Sequence, residues 1–184
     1  WKAVHTFSAT RLNQETGGYV KGELAYEDST IRRTNPNPEA YRDASSIRIA
    51  SHWNLEQPTR EWSVAPYLRR SDMEFRQHFL PGKPLEKNDQ TSLGAIGRVK
   101  GSTTSVRWLA GAQVETMRGA LSERQNQPTT GSAYLVGTRP EGTHYDYEIS
   151  SFLIAAFYDL GWDIAENVEL IHSVRLERLN YDYD

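Results

Sequence analysis

The sequence contains no cysteine, no long apolar run and no concentration of basic residues, and each absence excludes a class of protein. Without cysteine, neither disulfides nor thiolate metal sites can form. No apolar run approaches the roughly 18 residues that a membrane-spanning helix needs. The net charge is −3 and no basic stretch follows any segment. We therefore expect no nucleic-acid partner, because such binding depends on a basic surface.

Catalytic and metal-binding motifs are also missing. The sequence has no nucleophile elbow, no phosphate-binding glycine loop and no His-Glu-x-x-His helix. None of the five histidines is paired with another at metal-ligand spacing. His144 and Asp146 lie close together, but no third residue is evident that would orient them for catalysis. We predict that the protein is not an enzyme and has no metal site and no cofactor.

Alternation of apolar and polar residues is the dominant pattern, and helical periodicity is nearly absent. The stretch ASSIRIASHWNLE, residues 44–56, puts its apolar side chains on one parity and its polar ones on the other. This is typical of a strand with one apolar face. The apolar face could lie in the core of a soluble β-sandwich or against lipid. Eight segments are predicted to be strands: 1–12, 18–28, 44–56, 61–71, 92–100, 105–117, 148–160 and 168–180.

The connections between these segments alternate between short and long along the chain. The long ones are rich in Pro, Asn, Asp, Gly and charge. In an up-and-down meander every second connection lies at the same end, so one end carries all the long ones. Outer-membrane barrels have this asymmetry. The short connections are 13–17, 57–60, 101–104 and 161–167, and the long ones are 29–43, 72–91 and 118–147.

The tryptophans and the charges follow the same pattern. Four of the five tryptophans lie within a few residues of a short turn, as expected of a girdle at a lipid–water interface. Sixteen of the 21 cationic residues are arginine. In the clearer strands, arginines and carboxylates share the parity opposite the apolar one, as they would in a polar barrel lumen. A soluble meander would also direct these charges outward.

Two segments on the long-connection side are candidates for ligand contact. Residues 66–92 begin as a strand and then break at Pro81-Gly82 and Pro84. The apolar residues in this segment indicate either a loop folded over its own cluster or a ligand-contacting loop. Residues 139–149 combine tyrosine and histidine, which offer apolar area with a polar group. The predicted ligand-binding residues are His78, Phe79, His144, Tyr145 and Tyr147 in loops, with Arg69 and Arg70 just below them in the lumen.

Four long stretches carry specific motifs: AYRDASSIRI (40–49), PYLRRSDMEFRQHFLPGKPLE (66–86), PTTGSAYLVGTRPEGTHYDYE (128–148) and RLERLNYDYD (175–184). They resemble the β-barrel domain of TonB-dependent outer-membrane receptors, in particular those for iron complexes. The resemblance implies a 22-stranded barrel closed by an N-terminal plug, with a motif before the plug that engages TonB. This sequence has neither the plug nor the motif, and both of its ends look cut. We therefore expect residues 1–184 to be an interior part of the barrel, with about eight of its transmembrane strands.

The resemblance also implies a location and a function. The protein would lie in the outer membrane of a Gram-negative bacterium and import a ferric siderophore, with TonB as a partner through the missing N-terminal region. Cobalamin, haem or a glycan are alternative ligands. The other two interpretations are a complete eight-stranded membrane barrel with a structural or adhesion role, and a soluble carbohydrate-binding sandwich. If the apolar parity meets lipid, the lipid-facing residues include Val20, Leu24, Ile47, Ile49, Leu55, Val106, Ala110 and Val114.

Overall fold

The chain forms one open antiparallel sheet of seven strands. The structure is a computed structural model that describes residues 1–184. Each strand pairs with the next in chain order, which confirms the predicted all-β, up-and-down architecture. β1 and β7 each have one neighbour, so the sheet is open, as predicted. The strands are β1 (Lys2–Glu15), β2 (Tyr41–Gln57), β3 (Arg60–Arg76), β4 (Leu85–Ser102), β5 (Val106–Gln125), β6 (Gly142–Ala165) and β7 (Val168–Tyr183).

The three long connections lie at one end of the sheet, as predicted. We name them L1 (16–40), L2 (77–84) and L3 (126–141), and their end the long-connection end. The other connections, 58–59, 103–105 and 166–167, form the short-turn end. L1 contains a single 3-10 turn, Ile31–Arg33, and L3 contains the helix α1, Ala133–Thr138. Neither helical segment is long and apolar enough to cross a membrane.

The predicted strand at 18–28 is wrong, and the sheet has seven strands instead of eight. This segment lies in L1, where the backbone leaves the extended region at Gly22 (φ 129°) and Leu24 (φ 52°). A left-handed residue reverses the direction of the chain and cannot be accommodated in a regular strand. The prediction that Val20 and Leu24 lie on the lipid-facing side of a strand is therefore also wrong.

Several strands extend further toward the long-connection end than predicted. β3 continues to Arg76 and β4 begins at Leu85, so the connection between them is limited to L2. β5 continues to Gln125 and β6 begins at Gly142, which places His144, Tyr145 and Tyr147 in a strand. The prediction that these three residues lie in a loop is wrong. In these extensions apolar residues no longer keep to the apolar face, as Met73 and Phe75 of β3 lie on the polar face, so the pattern of the strand centres does not continue into them.

The sheet has one apolar face and one polar face. Residues paired across neighbouring strands point to the same side, so the register assigns every strand residue to a face. The six remaining residues of the predicted apolar set share one side, the apolar face: Ile47, Ile49, Leu55, Val106, Ala110 and Val114. The predicted polar parity forms the other side, the polar face, which includes Arg48, His52, Arg98, Arg107, Glu115 and Arg175.

Four tryptophans mark an inclined line across the apolar face near the short-turn end. They are Trp53, Trp62, Trp108 and Trp162. In the pairing register, each tryptophan lies two residues closer to the short-turn end than the tryptophan before it. The drift is thus six residues over the four strand spacings from β2 to β6. At about 3.3 Å per residue and about 4.8 Å per strand, the line is inclined to the strands by about 45°.

Long side chains on the polar face meet across an intervening strand. Arg175 Nη2 donates to Gln113 Oε1 over 3.0 Å, across β6. The hydroxyl of Tyr67 donates to Glu115 across β4, above Gly94, where a side chain would overlap the Tyr67 ring. Polar side chains therefore connect strands that are not paired with each other.

Candidate ligand-binding face

A buried carboxylate, Glu123, organises the polar face at the long-connection end. Its side chain is 4% exposed. Arg139 Nη1 lies 2.9 Å from Glu123 Oε1, and His144 Nδ1 lies 2.7 Å from the same oxygen. The other ring nitrogen of His144 lies 2.8 Å from the carbonyl oxygen of Pro140. A buried carboxylate is stable only when it is paired, and here Arg139 of L3 supplies the charge.

A second carboxylate, Glu86, connects this site to L2. Gln77 Nε2 donates to Glu86 Oε2 over 2.5 Å, and the backbone N–H of Gln77 donates to the carbonyl of Pro84. The hydroxyl of Tyr145 lies 3.3 Å from an oxygen of Glu86 and 3.3 Å from an oxygen of Glu123. We name Gln77, Glu86, Glu123, Arg139, His144 and Tyr145 the carboxylate cluster. It joins β4, β5 and β6 to two of the long connections.

Gln125 fastens L3 and L2 to the end of β5. Its side chain is fully buried, and its Nε2 donates to Thr129 Oγ1 over 2.9 Å and to the carbonyl of Arg139 over 3.2 Å. Gly82 in L2, with φ 75°, sits so close to the Gln125 amide that a Cβ atom would overlap it. L2 and L3 are therefore folded onto the polar face instead of extending into solvent.

Two pairs of tyrosines lie on the polar face of the neighbouring strands β6 and β7, beside the carboxylate cluster. Tyr145 and Tyr147 follow each other on the polar face of β6, with ring centroids 6.1 Å apart. Tyr181 and Tyr183 repeat this arrangement on β7 at 6.3 Å, and Tyr183 pairs with Ile149 of β6. We name these four residues the tyrosine patch. Sequence reasoning missed its β7 half, although the alternation NYDYD was a visible signal.

His78 and Phe79 lie in L2, as predicted, but their contacts are mainly with their own loop and strand. Phe79 packs against Phe75 with centroids 5.9 Å apart and against His78 at 5.6 Å. Phe75 is buried on the polar face beneath the guanidinium of Arg42, 4.3 Å from the ring centroid. Phe79 itself is 59% exposed. Of the two interpretations of this segment, a loop folded over its own cluster fits the buried Phe75. Phe79 remains exposed to solvent.

Arg69 and Arg70 point to opposite faces. Arg69 lies on the polar face, where Nη2 donates to Glu115 Oε1 over 2.9 Å and Nε donates to Ser92 Oγ over 3.1 Å. Arg70 follows directly and pairs with Ile47, so it lies on the apolar face. The prediction that both line the lumen is wrong for Arg70. Arg69 is also remote from the carboxylate cluster, because its partner Glu115 precedes Glu123 by eight residues of β5.

Glu86, Glu123 and Gln125, which carry most of the polar contacts, were not among the predicted ligand-binding residues. The sequence did contain a signal for Glu123 and Gln125, because they continue the parity of Glu115 along β5. The predicted strand ended at residue 117, so these two residues were not assigned to its polar face. A hollow of about 780 Å³ lies on the other side of the sheet, on the polar extension of the apolar face, and none of the predicted ligand-binding residues lines it. No group of histidine and carboxylate side chains is placed to hold a metal ion.

Comparison with known proteins identifies no family. No protein-family model matches the chain, and a search of curated proteins gives no match.

Proposed function

We propose that the sheet is part of the wall of an outer-membrane β-barrel, and that this barrel is a TonB-dependent receptor for a ferric siderophore or a similar nutrient complex. The observation that carries the membrane part is the apolar face bounded by the inclined tryptophan line. Strands of membrane barrels are tilted by about 35–45° to the barrel axis. A line inclined by about 45° to such strands is level in the membrane, so the four indoles would share one lipid–water interface.

The apolar face has the exposure that lipid contact requires. Only 11 of the 184 residues are buried, and no second layer covers the sheet. Ile47 and Ile49 are 44% and 47% exposed. In a soluble sandwich these side chains would pack against a facing sheet about 10 Å away. In a bilayer the acyl chains take the place of that second sheet.

The receptor part of the proposal is supported by the polar face. Arg69, Arg107 and Arg139 are each paired with a carboxylate there, as suits a wide aqueous lumen. The tyrosine patch offers stacking area with hydroxyl groups at the end where the long connections fold inward. Ferric chelates present aromatic or anionic surfaces, which tyrosine and arginine side chains can bind.

Quenching by brominated lipids tests the membrane placement. The protein is reconstituted in vesicles whose acyl chains carry bromine at different depths. We expect the fluorescence of Trp53, Trp62, Trp108 and Trp162, each observed as the only tryptophan left in its variant, to be quenched most by bromine near the headgroups. Indoles that are quenched equally at all depths, or not at all, would contradict the membrane placement.

Ligand binding tests the receptor function. The double substitution Tyr147→Ala/Tyr183→Ala should weaken binding of a ferric catecholate by about 1–3 kcal/mol, since each aromatic contact contributes about 0.5–1.5 kcal/mol. That is a rise in Kd of about 5- to 150-fold. Tyr158→Ala, on the apolar face, is the matched control and should leave Kd unchanged. Abundance in the outer membrane is measured for all variants. If Tyr147→Ala/Tyr183→Ala binds the chelate as tightly as Tyr158→Ala does, the tyrosine patch is not part of the ligand-binding site.

A further inference from the structure

Both ring nitrogens of His144 face acceptor oxygens. Nδ1 lies 2.7 Å from Glu123 Oε1, and Nε2 lies 2.8 Å from the carbonyl oxygen of Pro140. A neutral imidazole has one N–H group, so it can donate to only one of these oxygens and turns a lone pair toward the other. Only the doubly protonated imidazolium donates to both. The geometry therefore fits the charged form of His144.

Arg139 does not offer the neutral ring an equivalent arrangement. Its Nη1 lies 3.3 Å from His144 Nδ1 and can donate to that nitrogen when the nitrogen carries no proton. The same lone pair would then face Glu123 Oε1 at 2.7 Å with no proton between the two atoms. When the ring is charged, Arg139 and His144 both donate to Glu123 Oε1, and the carboxylate offsets the repulsion between the two cations.

The carboxylate cluster lacks one positive charge when His144 is neutral. Glu86 lies directly opposite Glu123 in the register of β4 and β5, and like charges in such a position repel each other. The side-chain hydrogen bonds of Glu86 come from uncharged groups, including Gln77 at the start of L2. The charged and titratable groups around His144 are thus Glu123 of β5, Glu86 of β4, Arg139 of L3 and Tyr145 of β6. An imidazolium at His144 balances the second carboxylate.

A β-bulge brings His144 into this position. Glu123 pairs with Tyr145 and Arg124 pairs with Thr143, so His144 is an extra residue of β6 without a partner in β5. In regular alternation His144 and Tyr145 would point to opposite faces. Because of the bulge, both side chains reach Glu123 on the polar face.

The hydrogen bond to Pro140 holds the end of L3. The preceding carbonyl, that of Arg139, accepts from Gln125 Nε2 over 3.2 Å and from Thr129 Oγ1 over 2.6 Å. An amide and a hydroxyl do not change their charge near neutral pH. Among the groups that hold this end of L3, His144 is therefore the one through which a proton can alter the attachment.

We propose that His144 is a proton-dependent latch, which fastens L3 to the polar face when its ring is charged and loosens L3 when its ring is neutral. Histidine is the side chain that ordinarily changes its charge between about pH 5 and 8. The docked connection makes both bonds only with the additional proton, so a fall in pH favours docking. Loss of that proton removes one bond and leaves two carboxylates with a single guanidinium. The inference goes beyond the proposed function and requires neither lipid nor ligand.

The mobility of a spin label on L3 tests the latch in the full-length protein that carries this sequence, solubilised in detergent. The label is attached to a cysteine at Gly137, an exposed position of α1 where an added Cβ has no atom within 4 Å. We expect a restricted label at about pH 5.5. The ratio of mobile to restricted label should rise at least about tenfold by about pH 8, the effect of losing one hydrogen bond of a charged group. Glu39, which holds L1 to L2, stays ionised over this range because its pKa is below 4.5.

Two histidine variants separate the latch from other causes. His144→Gln should abolish the pH dependence, whether its label is then restricted or mobile, because the amide does not bind a proton in this range. His78→Gln, which removes the histidine of the neighbouring L2, is the matched control and should keep the pH dependence. A pH response that persists in His144→Gln, or one that is lost in His78→Gln, would overturn the proposal.

The protonation of His144 is measured directly from the ¹⁵N spectrum of labelled histidine side chains. The signals missing from the His144→Gln variant belong to His144, and both of its ring nitrogens should carry protons at about pH 5.5. A singly protonated ring at that pH, or a label mobility in the unsubstituted protein that does not change with pH, would rule out the latch. Neither result would affect the membrane placement or chelate binding by the tyrosine patch.

Discussion

At the scale of single residues, the direction of a side chain decides what a substitution does. Adjacent residues of one strand differ completely in surroundings, as Arg69 and Arg70 illustrate: one is bound by Glu115, and the other is unpaired on the opposite face. The same chemical change should therefore be costly or harmless depending on parity alone. This contrast separates a membrane wall from a soluble sheet whose two faces are both wet.

A charge on the apolar face should destabilise the barrel, and the same charge on the polar face should not. We expect Ile49→Arg to cost about 2–4 kcal/mol of unfolding free energy, the range for arginine near the bilayer midplane. Ala110→Arg should behave alike. His52→Arg, three residues farther along β2 on the polar face, is the control and should change stability by less than about 0.5 kcal/mol. Urea unfolding in vesicles measures all three, and tolerance of Ile49→Arg would contradict lipid contact.

The tight contact between Gly82 and Gln125 makes a prediction for L2. Gly82→Ala adds a methyl group that overlaps the buried Gln125 amide and occupies a backbone conformation (φ 75°) that disfavours side chains. We expect L2 to detach from the polar face, which would be measured as faster proteolysis within 77–84. Gly97→Ala adds its methyl group where no atom lies within 4 Å, and it should leave the cleavage rate unchanged. Equal cleavage in both variants would show that L2 is not held by this contact.

At the scale of elements, the long connections are held to one another as well as to the sheet. Lys83 of L2 forms an ion pair with Glu39 of L1. The hydrogen bond from Lys83 lowers the pKa of Glu39 below its ordinary value of 4.5. Because the pKa of Glu39 is lower in the folded protein, the ion pair stabilises the contact between L1 and L2 at pH values above the pKa of Glu39 in the unfolded protein. This contribution is lost as the pH falls through the pKa of Glu39 in the folded protein.

The Glu39–Lys83 pair predicts a pH-dependent contact between L1 and L2. Spin labels on the two connections should give a short, narrow distance distribution at pH 7 and a broader one below the folded pKa of Glu39. Glu39→Gln should give the broad distribution at both pH values, because the amide carries no charge. Glu27→Gln, in the same connection, is the control. A narrow distribution in Glu39→Gln at pH 7 would mean that other contacts hold the two connections together.

The elements also reveal where sequence patterns fail. Seven of the predicted strands are confirmed. Six were predicted from alternation, which the apolar face requires over the middle of a strand, whereas 148–160 is apolar on both parities and was predicted from its length and its neighbours. Toward the long-connection end apolar residues no longer keep to one face: in the extension of β5 from Arg118 to Gln125, Ala120 lies on the apolar face and Leu121 on the polar face. The segment 18–28 shows the opposite error: its alternation is clear, but Gly22 and Leu24 adopt left-handed backbone conformations. Both errors concern places where hydrogen bonding and local geometry, and not burial, determine the structure.

At the scale of the whole molecule, topology was predictable and the site was only partly so. The alternation of short and long connections is enough to specify an up-and-down order, because it is a property of the chain. The carboxylate cluster joins residues of β4, β5, β6, L2 and L3, and its contacts depend on the pairing register and on how two connections fold inward. Residue types predicted Tyr145 and His144. The position of Glu123 between them required the register.

The open edges of the sheet determine how the polypeptide should behave alone. β1 and β7 each present a row of backbone N–H and C=O groups that no strand of this sheet pairs. In hydrocarbon each unsatisfied group costs several kcal/mol, so an open edge is not tolerated there. In water such edges pair with other chains. We expect polypeptide 1–184 alone to form large assemblies in detergent, as measured by sedimentation velocity, and to be inactive in transport.

Cross-linking tests whether the two edges meet. Cysteines at Phe7 and Leu176 should not cross-link within one chain, whereas cysteines at Phe7 and Ile49, which pair in the register, should. A monodisperse monomer with the first cross-link would mean that β1 and β7 close the sheet into a small barrel.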